Sequence, residues 1–169
     1  MYSPTPSVSS LRVLLAIAAR KGYSVKTGDF STAFLHVLLG IDEEVYVKAP
    51  KVVWVDGVPV FWKLKRALYG LRKAPQLFNN HLTEVLEKYG MRRLKSEPTV
   101  FVKGELLLLV HVDDPLATGP EEAIDDLWTY LESCMSFNRE VDEVPWQRIS
   151  TRFEGFHRAF ASEVLRRPD

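Results

Sequence analysis

Leu11, Leu14, Leu15 and Ala18 recur three and four residues apart, the spacing that lines apolar side chains along one helical face. With Ser9 or Ser10 as N-cap and Gly22 just past the end, this pattern predicts a buried helix near residues 10–21. Tyr23 to Phe30 reads as a short strand, and Thr32 to Leu39 as a helical turn or short helix stopped by Gly40, so Asp29 falls where a strand ends. Alternating apolar positions from Val45 to Leu64, broken by Pro50 and by the turn pair Asp56-Gly57, predict strands near 45–48, 52–55 and 58–64.

Pro75 then opens a helix to about Tyr89, with Leu77, Phe78, Leu82, Val85 and Leu86 on one stripe and Gly90 behind it. Thr99 to Val102 and Glu105 to Val112 flank Lys103-Gly104 and predict a hairpin whose second strand runs into Asp113-Asp114. Glu121 to Ser133 is an amphipathic helix with Ile124, Leu127 and Leu131 inward, and beyond Cys134 the pattern weakens. Strands joined by hairpins and mixed with helices give an α+β expectation, a mainly antiparallel sheet backed by helices.

At 169 residues the chain is sized for one folded unit, and 46% hydrophobic content excludes wholesale disorder. The longest apolar runs, Val13 to Ala19 and Leu106 to Val110, are far below the roughly 18 residues of a membrane span, so a soluble protein with no membrane partner is expected. MYSPTPSVSS has no basic segment before an apolar run and does not read as a secretory signal. Cys134 is the single cysteine, which excludes an internal disulfide, and the four histidines lack metal-binding spacing. The formal net charge is zero but segregated: residues 61–95 hold nine Lys or Arg against two acids, and residues 105–145 hold eleven acids against Arg139. A basic track for phosphates beside an acidic pocket for cations fits that division, as does a patchy solvated surface.

Two carboxylate sites at strand ends meet if their strands are sheet neighbours. Acids brought that close repel one another unless a cation is present, and Mg²⁺ prefers carboxylate oxygens. Two such ions about 3.5–4 Å apart serve in-line displacement at phosphorus. An Asp-Asp pair alone is weak evidence, because pairs such as Asp125-Asp126 commonly sit on solvated helices. Asp113-Asp114 differs in its context, since an apolar strand leads directly into it.

The stretches VKTGDFSTAFLHVLLGIDEEVYVKAP, FWKLKRALYGLRKAPQLFN and LLLLVHVDDPLATG resemble, in order and spacing, the reverse transcriptases of copia-type LTR retrotransposons, over roughly residues 5–133. The resemblance implies a polymerase palm and RNA-directed DNA synthesis on an RNA or DNA template-primer from dNTPs. It implies two Mg²⁺ ions, replaceable by Mn²⁺, held by Asp29, Asp113 and Asp114 as catalytic residues. Phe34 matches the bulky residue under the sugar of the incoming nucleotide, although its place also suits a core residue. Tyr69, Gly70, Arg72 and Pro75 match the block lining the nucleotide and template side.

The chain departs from that family in several ways. Set against the resemblance, residues 1–133 are expected to form the palm core without the fingers segment that precedes it in the family, and residues 134–169 a divergent segment, with Arg152 to Phe156 the nearest candidate for the primer-gripping segment. His111 replaces an aromatic residue, and Pro115 follows the acidic pair where an aliphatic one is usual. Pro115 removes a ladder N–H, which a first strand position accepts and a central one does not. These departures give the expectation of a truncated copy with weak or no independent activity, and the alternative of a non-catalytic remnant that binds nucleic acid.

Overall fold

The computed structural model describes residues 4–40 and 44–139; the Arg152 to Phe156 candidate and the rest of the segment after residue 139 lie outside them. In chain order the elements are α1 (Val8–Lys21), β1 (Ser24–Phe30), a 3-10 turn (Ala33–His36), β2 (Tyr46–Lys48), a second 3-10 turn (Lys51–Val53) and β3 (Phe61–Lys63). There follow α2 (Ala74–Lys88), β4 (Arg92–Arg93), β5 (Val100–Lys103), β6 (Leu106–His111), β7 (Asp114–Gly119), α3 (Glu121–Cys134) and β8 (Phe137–Arg139). Six strands form one antiparallel sheet in the order β4-β5-β6-β7-β1-β8, and β2 pairs with β3 in a separate ribbon. The fold is α+β, as the pattern predicts.

Side-chain alternation across the strands sorts the core into two layers. On one face Val100, Leu109 and Leu116 meet Leu11, Leu14 and Leu15 of α1. On the other, Phe30, Leu108, Val110 and Ala117 meet Phe78 and Leu82 of α2 and Ile124, Leu127 and Trp128 of α3. β6 lies between β5 and β7 with Leu106, Leu108, Leu109 and Val110 all buried, which explains its unbroken apolar run.

Several boundaries differ from expectation for identifiable reasons. Ser7, not Ser9 or Ser10, caps α1: it alone keeps extended backbone, at φ −77° and ψ 150°, while its side chain accepts from the Ser10 N–H at 3.0 Å. Asp56-Gly57 forms the expected turn with both φ values positive, +47° and +76°, but a single Val55–Val58 bridge replaces the long ladder. Pro59 has no N–H to continue it, and residues 51–53 coil into the 3-10 turn instead. The pattern missed β7, whose short apolar core is hidden between Pro115 and Gly119-Pro120, and also the brief β4 and β8.

The outer edge of β1 depends on a missing side chain. A Cβ on Gly28 would stand 2.1 Å from Cζ of Phe137, whose ring packs on Phe30 at 5.1 Å and Trp128 at 4.8 Å. Gly28→Ala is therefore expected to displace the Phe137 ring and destabilise the fold by about 1–3 kcal/mol, read as a lower denaturant midpoint.

Glu97 ties the start of α1 to the turn before β5. Burial pushes its carboxyl upward, but hydroxyl donors from Ser10, Thr99 and Ser7 outweigh that and hold it below the usual range. A depressed carboxylate contributes stability that is fully present above its ordinary value of about 4.5 and is lost as pH falls through the lower folded value. Acid melting curves of the wild type should thus fall more steeply below about pH 4.5 than those of Glu97→Gln.

Candidate active site

The site forms where β1 runs alongside β7. Their register pairs Ser24 with Gly119 and proceeds to Thr27 with Leu116. Carried on by two residues, it sets Asp29 opposite Asp114. The Phe30 N–H donates to the Asp113 carbonyl at 2.9 Å, which fixes the end of the alignment. Two acids 84 residues apart in sequence are thereby brought to one sheet end by backbone pairing rather than by their own side chains.

The β6–β7 hairpin turns through Val112 and Asp113, flanked by the pair His111–Asp114. Val112 takes φ +57°, a left-handed value that a β-branched residue adopts at a cost of order 1–2 kcal/mol. The half-buried Val112 side chain packs against the larger core layer, and that contact helps hold the turn.

Pro115 is buried as the second residue of β7, inside a strand with neighbours on both sides. Counting back from the Phe30–Asp113 bond, alternate β7 positions face β1, so the absent N–H is directed at Gly28. The β1–β7 ladder stops at Thr27–Leu116, and Gly28, Asp29 and Phe30 pair with Arg139, Asn138 and Phe137 of β8 on the other side. The expectation that a central position would refuse proline is corrected: the strand keeps its place and omits one rung beside Asp29.

Around Asp29 the side chains are ordered. Ser31 donates to Asp29 Oδ2 at 3.1 Å and accepts from Asn138 Nδ2 at 2.7 Å, while the Ser31 carbonyl lies 3.2 Å from His36 Nε2. Sequence reasoning missed Ser31 and Asn138; the only signal was Ser31 standing two residues after the aspartate.

Tyr69 reaches the same place from the loop before α2. Backbone bonds from Ala67 N–H to the Val37 carbonyl at 2.9 Å and from Leu39 N–H to the Lys65 carbonyl at 3.0 Å lay that loop against the segment after the first 3-10 turn. The Tyr69 hydroxyl then lies 3.5 Å from Asp113 Oδ2, and its ring packs on Phe34 at 4.5 Å. Partial burial, followed by the charge and hydrogen bond of Asp113 and the charge of Asp29, raises the phenol above its ordinary value. Both aspartates therefore act electrostatically on one hydroxyl.

Phe34 is 6% exposed, beneath Tyr69 and edge-on to Phe78, so it belongs to the core layer as well as to the site. Gly70, at φ +95°, turns the chain from Tyr69 toward Arg72, which stands exposed just ahead of the first turn of α2. Pro75 lies in that first turn.

Among the described residues no three His, Cys, Asp or Glu side chains gather into a group able to hold a metal. Two carboxylates suffice for Mg²⁺ when phosphate oxygens and waters complete its shell. Asp29 and Asp113, both felt by Tyr69, fit that requirement, with Asp114 opposite Asp29 in the register.

The β6–β7 hairpin thus brings Asp113 and Asp114 to the sheet end where β1 carries Asp29. The chain belongs to the family of reverse transcriptases (RNA-dependent DNA polymerases), whose model matches residues 1–139. Its relatives are of the copia type. It is 30% identical over 130 residues, 73% of its length, to the retrovirus-related Pol polyprotein from transposon TNT 1-94 of Nicotiana tabacum, and 30% identical over 128 residues to that from transposon RE1 of Arabidopsis thaliana. It is 35% identical over 103 residues to the putative transposon Ty5-1 protein of Saccharomyces cerevisiae. The matches cover 58% of this chain for the yeast protein and 73% for RE1, but only 33% of the yeast protein, 10% of the tobacco polyprotein and 9% of RE1.

Proposed function

We propose that the chain carries the chemistry of its family, RNA- or DNA-templated DNA synthesis, with at most weak independent activity and with Asp29, Asp113 and Asp114 as its catalytic carboxylates. The observation that supports this reading is the β1–β7 alignment, which joins Asp29 to the aspartate turn through the Phe30–Asp113 backbone bond. Ser31 donates to Asp29 Oδ2 and helps to orient that carboxylate. Divalent magnesium held by these acids would activate a primer 3′-hydroxyl against the α-phosphate of a dNTP and stabilise the leaving oxygen.

Phe34, against which the Tyr69 ring packs, is the apolar surface on which a deoxyribose would rest, and Gly70 leaves room for a backbone approach. Arg72, exposed at the mouth of α2, offers a positive charge to phosphate, and the basic run of residues 61–95 continues that field toward a template-primer.

The missing rung at Pro115 and the lack of a three-acid group among the described residues favour a second reading, a remnant that only binds nucleic acid. Its binding would fall steeply with salt and be indifferent to Mg²⁺.

Single-nucleotide extension of a primed RNA template in Mg²⁺ or Mn²⁺ separates the two. The expected outcome is extension by the chain and a loss in Asp113→Asn exceeding the roughly 10- to 100-fold that removal of an outer-shell partner costs a metal site. Salt-sensitive binding without extension by either protein, each shown to be folded, would support the remnant instead.

A further inference from the structure

Phe34 is 6% exposed in this conformation, its ring in contact with Phe78 on the core side and with Tyr69, which is itself 54% exposed. The same side chain places its hydroxyl 3.5 Å from Asp113 Oδ2, on an oxygen that an incoming cation would need. One residue thus occupies two seats at once: the apolar surface expected to face the sugar and a lone pair expected to face the metal.

We infer that Tyr69 is a positioning residue that latches the unliganded site shut, resting on Phe34 and hydrogen-bonded to Asp113, and that metal and nucleotide together displace it. This rests on the polymerase reading of the carboxylates. The latch is built to release. Its hydroxyl contact is long and its ring exposed, so little holds it closed, whereas Ala67 is fully buried and anchors the loop at its base. Gly70, at φ +95° with open space about its Cα, supplies a pivot directly after Tyr69.

Release of Tyr69 removes a competitor from Asp113 and uncovers Phe34 in the same movement. Cation binding at the carboxylates and sugar access to the aromatic wall are then coupled through one side chain, and each favours the other. A tyrosine with a purely structural role would support the loop but leave cation affinity unchanged.

The test measures Mn²⁺ affinity of the full chain by electron paramagnetic resonance of the free ion, without nucleotide, for the wild type, Tyr69→Phe and Asp113→Asn. Tyr69→Phe keeps the ring on Phe34 and drops only the hydroxyl, and thermal melting of each protein checks that folding is retained. The expected result is Mn²⁺ binding about threefold tighter in Tyr69→Phe, the scale of one modest hydrogen bond, and much weaker in Asp113→Asn. Unchanged or weaker binding in Tyr69→Phe, with loss in Asp113→Asn, overturns the latch and leaves the carboxylate assignment standing. Mn²⁺ binding that is absent from all three, or indifferent to Asp113→Asn, overturns both.

Discussion

The pairing of β1 with β7 is the constraint from which the rest of the site follows. Strand alternation leaves no freedom in it: a slip of one residue would carry Phe30 out of the layer shared with Phe78 and Trp128 and turn Asp29 into it. Apolar burial on both faces of the sheet therefore sets the position of the aspartates, although the aspartates contribute nothing to that burial. Lys26 reinforces the alignment from β1 by ion-pairing with Asp125 and Glu121 of α3 at 2.8 and 3.0 Å. The Asp125-Asp126 pair, which its sequence context sets apart from Asp113-Asp114, lies on α3 and takes part in the fold through the Asp125–Lys26 ion pair.

The helices were legible because each buries a wide stripe with a marked start and stop. Leu11, Leu14, Leu15 and Ala18 are all buried in α1, and Ile124, Leu127 and Leu131 in α3, as their spacing requires. β7 was not legible, since it obtains its stability from two neighbouring strands rather than from its own pattern, and its proline reads locally as a break. Residues 52–55 erred the other way: their apolar run suited a strand, but β3 beyond Pro59 pairs with β2 instead, and Val52, Val53 and Val55 remain exposed. Tertiary pairing, which a single sequence does not display, decided both cases.

Of the candidate site, the aspartates were readable as strand-end acids, while the backbone alignment of Asp29 with the aspartate turn required the sheet order. Phe34 and Tyr69 were each readable through the family's motifs, but not their contact, which depends on the loop at residues 65–67 folding back on residues 37–39. Ser31 and Asn138 were invisible because a serine or asparagine near an acid is common, and only the β1–β8 pairing gives Asn138 a partner. The site is thus a product of register at three places: β7, β8 and the loop carrying Tyr69.

The most direct test of this account is to titrate isotope-labelled protein with Mn²⁺ and record which backbone amide signals broaden through the paramagnetic ion. If strand register builds a cation site from Asp29 and the aspartate turn, broadening should begin at Phe30 and at residues 113–114, with Tyr69 close behind. Broadening centred instead on the acidic face of α3 around Asp125-Asp126, or spread evenly over the acidic surface, would contradict it.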